Sequence, residues 1–180
     1  MDKNILICGD SFSANNSGWP RLINYRVINN SQNGVGEYKI YNQIKNHKKK
    51  FNKLIVCHTS PWRLHTLHHP IHSTNPDRPH NDFMLADLDY YKDNSKEIKH
   101  IYNHIKNYTD WNYVKDIYNL IVENLKQIPN SIHITFHHPE DTELVPNNFY
   151  DVWQKYPGDI NHLNIIGNEI VAKRIQKLLQ

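Results

Sequence analysis

A chain of 180 residues, 38% of them apolar, has the length of a single domain with a substantial core. Its formal charge is only +3, with lysines spread thinly apart from Lys48-Lys49-Lys50, so it lacks the concentrated basic face of a dedicated nucleic-acid binder. Mean hydropathy is −0.74, and the first apolar stretch is too short for a signal-peptide core or a bilayer span, so the expected setting is cytoplasmic, with neither membrane nor nucleic acid as partner.

The first element is the run NILIC (4 to 8), read as a strand that stops abruptly at Gly9-Asp10-Ser11. The stretch SGWPRLINY follows as an expected helix, with Ser17 as cap and Pro20 in its first turn. RVIN (26 to 29) is a second strand leading into Asn29-Asn30-Ser31-Gln32-Asn33-Gly34, and EYKIYNQIKNH is a helix with Ile40, Tyr41 and Ile44 on one face. KLIVC (53 to 57) is a third strand. Cys8 and Cys57 each close an apolar run, the pattern of buried reduced thiols and not of a disulfide framework.

From about Pro61 to Asn94 no period is sustained, and the composition favours His, Pro, Asp and Asn. This segment is expected to be a lid or substrate-side insertion within one domain spanning 1–180. DWNYVKDIYNLIVENLKQI is the best amphipathic helix, with Asp110 as cap and Trp111, Val114, Ile117, Ile121, Leu125 and Ile128 on its stripe. SIHITF (131 to 136) is a fourth strand. The chain ends in NIIGNEIVAKRIQKLL, a helix with Ile165, Ile166, Ile170, Val171, Ile175 and Leu178 to one side and Gly167 early in it. Short buried strands alternating with helices predict an α/β fold with a mostly parallel sheet covered on both faces.

The residues past the strand ends form a chemical set. A serine hydroxyl needs a base to become a nucleophile, and a histidine serves best when a carboxylate fixes its tautomer. Asp159 and His162, three apart in a turn before the last helix, can supply that pair to Ser11. Acyl transfer also needs donors for the oxyanion, and the Gly34 and Ser11 N–H groups are the candidates, with Gly36 the alternative to Gly34. Each residue also has a purely structural reading: Ser11 as a helix cap, Gly34 as a positive-φ turn, and Asp159 or Asn161 as turn former or cap.

With Gly9-Asp10-Ser11 near the start, Asn29 to Gly34 after the second strand, and Asp159-x-x-His162 before a helix carrying Gly167, the chain resembles the SGNH, or GDSL-like, hydrolases over nearly its whole length. The resemblance implies a flavodoxin-like three-layer α/β/α fold with strand order 2-1-3-4-5, and a Ser11–His162–Asp159 triad with Gly34 as oxyanion donor. It also implies an acyl or acetyl ester substrate, a small molecule or a glycan, with no cofactor. An acyl-transferring variant uses the same chemistry. The family's Gly-x-Asn-Asp motif is missing after the third strand, where His58-Thr59-Ser60-Pro61-Trp62-Arg63 stands instead. Thr59, Ser60 or Arg63 is expected in the asparagine's place, with Asp10 also at the substrate. Asn81-Asp82 has the right dipeptide but lies more than twenty residues beyond the strand end, and is set aside on that ground. The missing motif keeps a second reading open, a catalytically silent domain of this type that binds a glycan or a partner protein.

The 13 histidines raise metal chemistry, above all His65-x-x-His68-His69-x-x-His72, His100 with His104, and His137-His138. No HExxH occurs and acidic partners are not interleaved at ligand spacing, so no metal is expected. His58, His137 and His138 end strands on the side where the site is expected, within reach of substrate. An α/β-hydrolase elbow at Gly9 to Ser13 lacks its last glycine, and Gly34-Val35-Gly36 lacks the third glycine of a dinucleotide loop.

Overall fold

The computed structural model describes residues 4–15, 17–69, 71–72, 81–159 and 162–180. In chain order the first half runs β1 (Asn4–Gly9), α1 (Ser11–Ala14), β2 (Arg26–Asn29), α2 (Glu37–Lys45), β3 (Lys53–His58), β4 (Arg63–Leu64) and β5 (Phe83–Met84). Next come α3 (Leu85–Tyr91), α4 (Lys96–Tyr108), α5 (Trp111–Lys126), β6 (Ser131–Thr135), β7 (Asn147–Asn148), α6 (Tyr150–Lys155) and α7 (Ile165–Leu178). Five of the strands form one parallel sheet in the order β2-β1-β3-β6-β7, which is the expected 2-1-3-4-5 order once the short β4–β5 pair is counted.

Strand alternation explains the three layers, because successive side chains leave a strand on opposite faces. Ile5 and Ile7 of β1, with Ile55 and Cys57 of β3, pack under Val171, Ala172 and Ile175 of α7. The intervening Leu6, Cys8, Leu54 and Val56 face Ile40 of α2 and Leu125 of α5. Both cysteines are free and buried, and burial pushes the Cys8 thiol up to about 12.

Four expectations need correction. The stretch from Ser17 to Tyr25 holds only a 3₁₀ turn, Trp19–Arg21, with Gly18 at its cap position. The Ser17 hydroxyl bonds the Asn15 Oδ1 instead (2.8 Å), and Trp19 is drawn into the core with its Nε1 donating to the Phe12 carbonyl (2.9 Å). On α5 the buried line is Tyr118, Val122 and Leu125, with Ile117 exposed, because the middle of the helix packs on Leu144 and Val145 as well as on the sheet. On α7 the buried line starts at Gly167 and runs through Val171 and Ile175, leaving Ile165 79% and Ile166 55% exposed. Gly167 lies so close to Tyr156 and Leu163 that a Cβ would meet each at 3.0 Å, and this contact sets the helix's rotation.

The fourth correction concerns 61–94. Its described part is not without elements: Arg63 pairs with Met84 and Leu64 with Phe83, antiparallel, and α3 follows. Leu88 joins Ile98, Tyr102 and Ile105 of α4 in a small apolar cluster that includes Leu64 and Phe83. Positions 70 and 73–80 of this segment lie outside the described residues. Among the described residues, no helix is long and apolar enough to cross a membrane.

Candidate active site

The carboxyl end of β1 is shaped by Gly9. A Cβ there would stand 2.6 Å from the Cys57 Cβ, so only glycine lets β1 and β3 pass this closely beneath α1. Asp10 then caps α1, its Oδ1 accepting from the Phe12 N–H at 3.0 Å, while the residue itself is 1% exposed. The cap is therefore Asp10 and not Ser11, which becomes the first helical residue. Its N–H, in the first turn, has no carbonyl one turn earlier to bond.

Gly34 lies in the loop after β2 with φ +69°, a conformation that side chains with a Cβ rarely adopt. Its carbonyl accepts from the Asp82 N–H (2.8 Å) and from Arg63 Nη1 (3.2 Å). The Gly36 N–H is spent on Asp82 Oδ2 at 2.6 Å, which removes it as the alternative oxyanion donor.

The same carboxylate brings back the asparagine set aside on sequence. Asp82, fully buried, also accepts from the Thr66 N–H (2.8 Å) and pairs with Lys39 Nζ (2.7 Å), so the segment entering β5 is pinned beside the β2–α2 loop. Asn81 consequently lies against Gly34, only 6% exposed, and its Oδ1 has no hydrogen-bond partner among the described residues. Turning the amide over would present Nδ2 there instead. The signal was in the sequence as the Asn81-Asp82 dipeptide, but its distance from β3 concealed that β4 and β5 pair and return the chain.

Two of the three residues expected in the asparagine's place, Thr59 and Ser60, do not line the cleft that holds Ser11. Thr59 is fully buried, its N–H donating to Glu37 Oε2 at 3.3 Å, and Ser60 Oγ accepts from the Trp62 N–H at 3.3 Å. Of the three, Arg63 lines the cleft that holds Ser11.

His162 is presented by a tight turn. Its N–H donates to the Asp159 carbonyl (3.1 Å), its carbonyl accepts from the Gly158 N–H (2.6 Å), and Pro157 bridges to Leu163. Asp159 belongs to this turn, with its side chain exposed. Asn161 lies outside the described residues, and the cap of α7 is Asn164, whose Oδ1 accepts from the Gly167 N–H at 2.9 Å. The Phe12 ring, stacked on Phe136 at 4.6 Å, meets His162 edge-on at 5.8 Å and His137 at 5.7 Å. His137 Nε2 lies 3.6 Å from Asp10 Oδ2.

These elements converge on a cleft of about 500 Å³ whose lining includes Ser11, Gly34, Arg63, Asn81, His137 and His162. Ser11 and His162 also share a narrower crevice with Asn15 and Asn168. The cleft lies beyond the carboxyl ends of the strands, where β1 is flanked by β2 and β3 and the chain direction switches, the usual ligand position in open α/β sheets. Chemically it offers a hydroxyl, an imidazole, backbone N–H groups and a side-chain amide around one space. Among the described residues, no three His, Cys, Asp or Glu side chains gather into a metal-holding group.

No known protein-family model matches the chain, and no curated protein matches it. Among solved structures, a protein from Streptococcus pneumonia provisionally described as a platelet activating factor is similar at 12% identity and a TM-score of 0.44, over 100% of this chain and 85% of that one.

Proposed function

We propose that the chain is a serine hydrolase of the SGNH type that cleaves acyl or acetyl esters of small molecules or glycans. The observation that carries this reading is the meeting of Ser11, Gly34, Asn81 and His162 on one cleft. Ser11 Oγ attacks the ester carbonyl while His162 takes its proton, and Asp159 steadies the resulting imidazolium from within the same turn. Negative charge on the carbonyl oxygen is met by the N–H groups of Ser11 and Gly34 and by the Asn81 amide, which takes the role of the missing motif's asparagine. His162 then protonates the departing alkoxide. Water, activated by the same imidazole, releases the acid and restores Ser11; an alcohol in place of that water would make the reaction an acyl transfer. No cofactor enters these steps.

The test is hydrolysis of p-nitrophenyl acetate by the wild type, Ser11→Ala and His162→Asn. Each substitution should lower kcat by about a thousandfold or more, because members of a catalytic triad act as a unit. Equal rates in all three proteins would end the proposal.

A further inference from the structure

The small net charge of +3 is unevenly divided along the chain. From residue 11 to residue 76 there are nine lysines and arginines and a single acidic residue, Glu37, whereas 77–180 holds 15 of the 18 acidic residues. Glu37 is buried, with its Oε1 2.6 Å from His58 Nδ1 and its Oε2 accepting from the Thr59 N–H, so this part of the chain contributes no exposed carboxylate. Arg21, Arg26, Lys45, Lys48, Lys49 and Lys50 are exposed, and none of them forms an ion pair among the described residues. Like charges left without partners repel one another, and an anionic partner relieves that repulsion.

Part of this surface is a groove of about 1030 Å³ at the edge of the sheet. One wall is the end of the edge strand β2 with the loop after it, from Ile28 to Gln32. The other is α2, from Tyr38 in its first turn to Lys48 and Lys49 beyond its last, a helix of nine residues and so about 13 Å long. No acidic residue lines the groove, among the described residues. Gln32, Tyr38, Asn46, Lys48 and Lys49 are all exposed, so their polar ends are open to a partner.

These exposed groups decide which anion fits. The ammonium groups of Lys48 and Lys49 favour negative charge, while the amides of Gln32, Asn42 and Asn46 each offer two donors and an acceptor, as sugar hydroxyls require. A single-stranded nucleic acid is held by a succession of aromatic faces, and besides two histidines the lining has only Tyr38. Gln32 on this groove is followed by Asn33 and Gly34 on the Ser11 cleft, so a polymer crossing that one loop reaches both.

We propose that the groove binds an acidic polysaccharide, its hydroxyls on the amides and its uronate carboxylates at Lys48 and Lys49. In a clause that rests on the esterase reading, this polymer is the alcohol part of the ester cleaved at Ser11.

The test is calorimetric titration with oligogalacturonate, with neutral dextran and poly(U) in parallel. Wild type and Ser11→Ala should bind oligogalacturonate saturably and more weakly as salt is raised, and dextran should not bind. The double variant Lys48→Glu, Lys49→Glu should weaken binding by about tenfold or more. Asn42→Trp, which obstructs the groove without changing its charge, should do the same. On acetylated polygalacturonate both variants should raise KM by about tenfold, with p-nitrophenyl acetate turnover unchanged. Absence of saturable binding to the wild type, binding indifferent to either variant, poly(U) bound as tightly as oligogalacturonate, or an unchanged KM on the acetylated polymer would each overturn the proposal. Binding by Ser11→Ala needs no turnover, so a protein that binds the polymer but hydrolyses no ester would defeat the esterase reading alone.

Discussion

The Asn81 amide rests on the Cα of Gly34, so closely that a Cβ at residue 34 would overlap Asn81 Oδ1 and stand 2.8 Å from Nδ2. Gly34→Ala thus carries two costs, the strain of φ +69° and the displacement of a buried amide. The variant should lose more than about 1 kcal/mol of stability by urea denaturation while still folding. Its kcat on p-nitrophenyl acetate should fall by about a hundredfold, as for loss of one oxyanion donor. Unchanged kcat would detach Gly34 and Asn81 from the chemistry.

Asn81→Ala removes the amide without straining the backbone. The expected loss is about 100- to 1000-fold in kcat with little change in KM, because the amide acts on charge that develops only in the transition state. Asn81→Asp should be at least as impaired, since a carboxylate would face the developing oxyanion. A rise in KM alone would make Asn81 a substrate-binding residue.

Asp159 is exposed, and a solvated carboxylate stabilises a neighbouring imidazolium less than a buried one does. Asp159→Asn should therefore cost less than about a hundredfold in kcat, well short of the loss at His162. If the two substitutions prove equally damaging, Asp159 and His162 act as a tightly coupled pair in spite of that exposure.

His133 is wedged between His58 Nε2 (2.8 Å from its Nδ1) and Ser131 Oγ (2.8 Å from its Nε2), and burial, with His58 beside it, pushes its pKa from 6.5 down to about 3. His69 is held down to about 4, mainly by burial. The unfolded chain gains these protons near pH 6.5 and the native chain resists them, so stability is fully present above 6.5 and falls as the pH drops toward 4 and then 3. Urea midpoints at about pH 7 and about pH 5 should show this loss, and His133→Gln should lose less over the same interval. Identical pH slopes for the two proteins would contradict the assignment.

Much of this fold is legible in the sequence because its strands are short apolar runs whose alternate residues serve opposite layers: Ile5 and Ile7 against Leu6 and Cys8. The serine and histidine positions follow from where such strands end and where the last helix begins. What stays hidden depends on contacts between distant segments. Asn81 reaches the site through the Arg63–Met84 pairing and the Asp82 carboxylate, neither of which has a local periodic signal. On α7, apolar content alone suggests Ile165 and Ile166 for the core, whereas the close approach at Gly167 turns the helix away from them. Asp10 takes the cap that Ser11 could also have filled, and only the backbone distinguishes the two.

The most direct measurement is the mass of the folded protein after reaction with a fluorophosphonate, followed by peptide mapping of the adduct. The account predicts one covalent adduct, on Ser11, that is absent in Ser11→Ala and forms far more slowly in His162→Asn. A folded wild type that stays unlabelled, or an adduct that maps to a different residue, would contradict it and leave a binding domain without a catalytic serine as the remaining interpretation.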